Sequence, residues 1–426
     1  MTPSPALIDH LHRLRRVGLV LAVTGGAVSL FGWIYLPGQF YSAWLTAWFY
    51  WLGMALGCLV LAMLHGMTGG AWGRAIRRVI EAGYQTLPLL ALLFVPIGLG
   101  AGRIYKWADP EIVRHHESLA RKAGYLNVGG FQVRAIVYFV VWIAITWLLD
   151  RSSPNDESHS ETPRSERRQR HSGLCFIAYG FTMTLAAVDW AMSLEPEWYS
   201  TMYGLIHMAG QAVSGLSLSV VVVVALREFA PWSQIVTPVR LNDLGNLLLA
   251  AVMFWAYCSY FQFLVIWSGN LPEENVWYVH RSQGGWQYLA MGLAGLHFVV
   301  PFLLLLSRQH KRQATDLGRI ALLLLFMRYA DLYWLIAPGF QHGTSGRQAG
   351  SLPHGVVQLI APGFEHGTSD TRGLTCHWLD LAALVAIGGA WLAVFTWRLS
   401  ARVRLPIYDP NLTETVDERS GHAAVA

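Results

Sequence analysis

The sequence predicts an all-α membrane protein with ten transmembrane helices, and three observations carry that prediction. The 426 residues are 54% hydrophobic and only 13% charged, about half the charged share of a typical soluble domain. Mean hydropathy is +0.37. The apolar residues also gather into ten stretches, each near the roughly 20 residues a helix needs to cross the hydrocarbon core. Such a chain has too few polar side chains to cover a water-facing surface. That excludes an ordinary soluble enzyme, a disordered chain and a nucleic-acid binder.

The first stretch, 17–37, follows Arg13, Arg15 and Arg16. It exceeds the roughly 7–15 residues of a signal-peptide core and lacks a small-x-small cleavage site, so it reads as an uncleaved helix. The second, 43–66, has Trp44, Trp48, Tyr50 and Trp51 near its start, expected as interfacial anchors. Gly53 and Gly57 in the same stretch form a G-x-x-x-G contact motif. Stretches 86–105 and 131–149 flank a loop, 106–130, that has room for a short helix. Its adjacent His115 and His116 would face different sides of a helix, so no metal site is expected.

The polar segment 150–172 reads as a linker dividing 1–149 from 173–398. Stretch 173–194 carries Asp189, with Trp198, Tyr199 and Tyr203 as further anchors, and 202–226 places His207, Gln211 and Ser214 on one helix face. Stretch 243–268 holds Tyr257, Tyr260 and Gln262, and 284–307 holds His297 with Gly292 and Gly295 as close-packing positions. In 318–338, Arg328 and Asp331 stand at i, i+3, near enough to pair. The last stretch, 376–398, opens with His377 and Asp380, and the tail is 399–426. Between the ninth and tenth stretches, within 335–369, LIAPGFQHGTS at 335–345 is repeated as LIAPGFEHGTS at 359–369. This reads as a local tandem duplication in a loop.

Alternating loops carry 21 Lys and Arg on the side of the termini and 7 on the other. The asymmetry predicts cytoplasmic termini. Cys58, Cys175, Cys258 and Cys376 lie far apart, with no C-x-x-C or C-x-x-C-H, so neither an iron–sulfur cluster nor attached haem is expected on this chain. Haem b would need histidines on two facing helices, and His65, His207 and His297 fall at different depths.

Ionisable groups within a span are costly and mark partners or polar cavities. Asp189, His207, Gln211, Gln262, His297, Asp331, His377 and Asp380 therefore form the candidate proton path or quinone contact, with Arg328–Asp331 a structural buried ion pair. Asp189 and Asp380 have no cation three or four positions away on their own helices. They are expected to exchange protons most readily. A secondary transporter is the alternative from another class, but no matched pair of Gly/Pro-interrupted helices occurs in the two halves. A purely structural scaffold is the other.

The segments DWAMSLEPEWYSTMYG (189–204), FWAYCSYFQFLVIWSGNLPEENVWYVHR (254–281), RYADLYW (328–334), HWLDLAAL (377–384) and LPIYDPNL (405–412) together resemble the F subunit of bacterial alternative complex III. This is quinone-binding subunit 2 of quinol:cytochrome c oxidoreductase. TGGAWGRAIRRVIEAGYQTLPLL (68–90) is similar to the wider polysulfide-reductase-type membrane subunits. The resemblance implies two four-helix bundles with two flanking helices, and a subunit without its own redox centre. It further implies haem c and iron–sulfur clusters on partner subunits: a multihaem cytochrome, an iron–sulfur protein and a related C membrane subunit. The duplicated loop departs from the family's pattern.

Overall fold

The computed structural model describes residues 4–151, 161–230, 232–343, 373–374 and 376–403. Among these residues, ten helices are long and apolar enough to cross a membrane. They are α1 (Pro5–Tyr35), α2 (Pro37–Thr68), α3 (Trp72–Leu99), α4 (Val128–Arg151), α5 (Gln169–Leu194), α6 (Tyr203–Ala225), α7 (Pro238–Gly269), α8 (Trp286–Leu306), α9 (Ala314–Phe340) and α10 (Trp378–Val403). No strand occurs among the described residues. The chain is an all-α, multi-pass membrane protein. An even number of crossings puts the two ends of the described chain on one side, called here the terminal side.

Local chemistry explains where these helices start and stop. Ser4 caps α1 by accepting the Leu7 N–H at 3.3 Å, and Pro5 fixes the first turn. The helix therefore begins well before residue 17 and carries its three arginines on helical backbone. α3 likewise starts earlier than expected, with an amphipathic turn region bearing Arg74, Arg77 and Arg78. Pro88 and Pro96 then divide it into segments at 87–93 and 95–99. In α8, Pro301 cannot bond the carbonyl four residues back, and the turn 293–299 widens to π geometry.

Helices α2–α5 pack as one four-helix bundle and α6–α9 as a second, while α1 and α10 pair along their length on the flank. The polar segment 150–172 thus joins two members of the first bundle. α2 and α6 form the seam between bundles, and Gly57 makes it possible. A β-carbon there would overlap the Gln211 carbonyl and approach Gly215 N to 2.9 Å. α1 and α10 approach as closely, with Gly18 against Gly389 and Ala393, and Gly25 against Ala386. Gly292 and Gly295 do not serve this way: both face open space.

Trp44, Trp48, Tyr50 and Trp51 are not interfacial anchors. They point into the protein and bridge helices, because buried N–H and O–H groups need acceptors. Trp44 and Trp48 donate to the Leu93 and Leu90 carbonyls at 3.0 and 2.9 Å. Tyr50 and Trp51 donate to the Leu325 and Leu384 carbonyls, each at 3.1 Å. Trp198 and Tyr203 are also buried, and of that trio only Tyr199 is exposed.

The first copy of the duplicated sequence is not loop at its start. The helix of α9 runs on to Gly343 with Pro338 inside it. The second copy, like the tail 404–426, lies outside the described residues. The loop 106–130 holds two short helices, Pro110–His115 and Glu117–Lys122.

Candidate functional site

The two bundles have different interiors. The first is filled with aromatic rings: Trp190 meets Trp48, Phe94, Tyr138, Phe139 and Trp142 at centroid distances of 5.0–5.8 Å. The second is built around a charge. Arg328 sits near the middle of α9, 2% exposed, in contact with Asp331 one turn on. Trp255 from α7 donates to the same Asp331 carboxylate at 3.2 Å. Gly210 on α6 lets the guanidinium lie flat against that helix, since a β-carbon there would overlap it.

Two fully buried histidines flank this pair. His207 on α6 is held edge-on between Phe49 and Tyr203 at 4.9 and 4.8 Å, and among the described residues neither ring nitrogen has a hydrogen-bond partner. His297 lies in the π turn of α8, its ring 4.1 Å from that of Trp255 and its edge beside the Met327 backbone. Tyr50, Tyr203, His207 and His297 all lie within the Coulombic reach of Arg328. These imidazoles are polar groups without a hydrogen-bond partner among the described residues, beside a buried ion pair, the kind of intramembrane group that marks a polar cavity or a relay.

The remaining candidates fall elsewhere. Gln211 faces α5, taking the Tyr179 hydroxyl and donating toward Met183 Sδ at 3.2 Å. Gln262 ties α7 to the loops through Ser200 (2.9 Å) and Tyr278 (3.3 Å). His377 and Asp380 form a reciprocal helix cap. The His377 ring accepts the Leu379 N–H at 3.2 Å, and Asp380 accepts the His377 N–H at 2.9 Å. Asp189 is not free of cations. Arg134 from α4 grips it at 2.8 and 3.0 Å, and Tyr138 donates at 2.7 Å. Neighbours along one helix could not reveal a partner from another, so Asp189 is an ion-pair member and not the cation-free carboxylate expected.

Sequence reasoning missed two further clusters. Opposite the terminal side, Arg281 donates to Glu195 at 2.7 Å and stacks on Trp277 at 3.7 Å. It also donates to the Trp334 and Leu335 carbonyls at 3.1 and 2.9 Å. Pro338 has no N–H for the Trp334 carbonyl, so Arg281 supplies the missing donor. An Arg in a loop and a Pro inside a helix were each legible; their pairing was not. On the terminal side, Arg402 bridges Glu81 (3.4 Å) and Asp150 (2.6 Å), and Tyr84 and Gln85 also donate to Asp150 at 2.6 Å.

Glu195 gives a pH test. Burial alone would push its carboxyl up, but the Arg281 charge and the hydrogen bonds from His280 and Arg281 outweigh that and hold it down at about 2. A carboxyl depressed from 4.5 adds stability that is whole above pH 4.5 and drains away as pH falls toward 2. The linkage is on the order of 3 kcal/mol. Thermal unfolding in detergent should show wild type well above Glu195→Gln at pH 7, with the gap narrowing below pH 4.5 and closing only as pH falls below about 2. A gap that does not change with pH would contradict the pairing.

Among the described residues, no group of three or more His, Cys, Asp or Glu is placed to hold a metal ion. Compared with known proteins, the chain matches no protein-family model and no curated protein.

Proposed function

We propose that this chain is an integral subunit of a respiratory quinol:cytochrome c oxidoreductase of the alternative complex III type, and that its second bundle carries a proton path. In this reading both termini are cytoplasmic, in agreement with the charge asymmetry of the loops. Quinol oxidation and electron transfer belong to haem and iron–sulfur partner subunits, and the chain supplies no redox centre of its own. The observation that carries the proton path is His207: fully buried, with both ring nitrogens unpaired, beside a mid-membrane Arg328–Asp331 pair. A purely packing histidine would be expected to bond a neighbouring carbonyl. The first bundle is filled mainly by aromatic rings, and its buried Asp189 is already matched by Arg134 and bonded by Tyr138.

Membership of such an assembly has a direct test. The tagged chain, extracted from its native membrane in mild detergent, should bring down a multihaem cytochrome, an iron–sulfur protein and a second large membrane subunit. The assembly should oxidise quinol. A chain recovered alone, or one that catalyses solute uptake by itself in vesicles, would contradict the proposal and favour a transporter.

A further inference from the structure

The outward face of α7 carries an unusual feature for a surface in lipid. The adjacent Met253 and Phe254 are followed at steps of three or four residues by Tyr257, Phe261 and Val265, all exposed, so they form one stripe along the helix. Tyr257 is 59% exposed and stacks on Phe261 at 5.7 Å. Tyr260, beside the stripe, is 63% exposed. Among the described residues neither hydroxyl has a hydrogen-bond partner.

Depth decides what this means. On the terminal side the polar run of α7 ends at Asn246, which accepts from Lys311 at 2.7 Å. The apolar run from 247 ends at Trp267. At 1.5 Å per residue, 247–267 spans roughly 31 Å, about the thickness of the hydrocarbon core. Tyr257 is its midpoint, roughly 15 Å from either edge. A tyrosine ring is too short to lift its hydroxyl to the interface from there. Nor can the hydroxyl turn back on its own helix, as Thr24 does at Val20 O (2.9 Å) and Ser268 at Leu264 O (2.5 Å). Acyl chains offer no acceptor, and a polar group left bare in hydrocarbon is costly. The exposed face of α1 (Val17, Val20, Val23) has no such group and suits lipid.

From this juxtaposition we infer that the Phe254–Tyr257–Phe261 face of α7 is the docking surface for a transmembrane helix of another subunit. That helix presents a hydrogen-bond acceptor to Tyr257 at mid-membrane. A second copy of this chain fits less well, because two facing Tyr257 hydroxyls bonded to each other leave one donor unsatisfied. The inference rests on the proposed membership of a heteromeric complex and names the face used.

A benzoylphenylalanine photo-crosslinker placed at Tyr257, at Phe261 and, as control, at Val23 tests it in the full chain in native membranes. Positions 257 and 261 should both link to one membrane polypeptide that also co-purifies with the chain, and position 23 to no polypeptide. Tyr257→Leu should leave yield and thermal stability of the chain unchanged while recovery of that polypeptide falls at least several-fold. Adducts only with lipid or quinone at 257 and 261, a product of twice the chain's mass, or undiminished recovery with Tyr257→Leu would each overturn the inference. Partners recovered but linked only through other faces would also overturn it, and would leave the proposed function standing. A chain with no partners at all would instead remove the proposed function.

Discussion

Replacing Arg328 with Leu should leave little folded protein. Asp331 is 3% exposed and, among the described residues, would keep only the Trp255 N–H as a partner. A buried charge stranded in this way costs about 3–5 kcal/mol, comparable with much of a domain's net stability. Removing both charges is different, because no uncompensated ion remains. Arg328→Leu/Asp331→Leu should therefore recover most of the loss while abolishing whatever the pair does in function. Folded yield and thermal midpoint in detergent read both effects. A single variant as stable as wild type, or a double variant no better than the single, would contradict a paired buried charge at the centre of the second bundle.

Gly57→Val should break the seam between the bundles. The new side chain would meet backbone of α6 at Gln211 and Gly215, and backbone cannot rotate away as a side chain can. Overpacking of this kind costs about 1–3 kcal/mol, more where the helices must separate. Gly292→Ala is the matched control. Its β-carbon enters open space, and alanine in place of a helical glycine should stabilise by about 0.5–1 kcal/mol. Thermal unfolding should move in opposite directions for the two variants. Equal shifts would mean that the seam is not where the bundles meet.

These contrasts mark what the sequence could and could not disclose. Crossing helices announce themselves because hydrocarbon demands about 20 apolar residues in a row, and all ten were legible. Helix partners were less so. Gly18, Gly25 and Gly32 repeat every seven residues, and that regular spacing could have identified the face of α1 that meets α10. Arg328–Asp331 was readable because both partners lie on one helix. Arg134–Asp189, Arg281–Glu195 and Arg402–Asp150 were not, since each joins residues from separate elements and only the packed fold brings them together. The fate of Asp189 follows directly. Its solitude along α5 was real, yet Arg134 reaches it from α4. Similarly, the tryptophans of α2 have the composition of an interfacial belt, but a helix enclosed on all sides turns them into bridges. Gly210 and Gly292 look alike in sequence, while one accommodates a guanidinium and the other faces open space.

In the proposed path, the histidines beside Arg328 move protons. Phe is the informative replacement, because it keeps an aromatic ring against Phe49 and Tyr203 for His207, and against Trp255 for His297, while removing the titratable group. The assembled complex carrying His207→Phe or His297→Phe would be reconstituted into sealed vesicles, and protons moved per electron measured during quinol oxidation. The proposed path predicts intact assembly, continued quinol oxidation and a clear fall in protons moved per electron, largest for His207→Phe. Full coupling in both variants would contradict it and leave this subunit a scaffold.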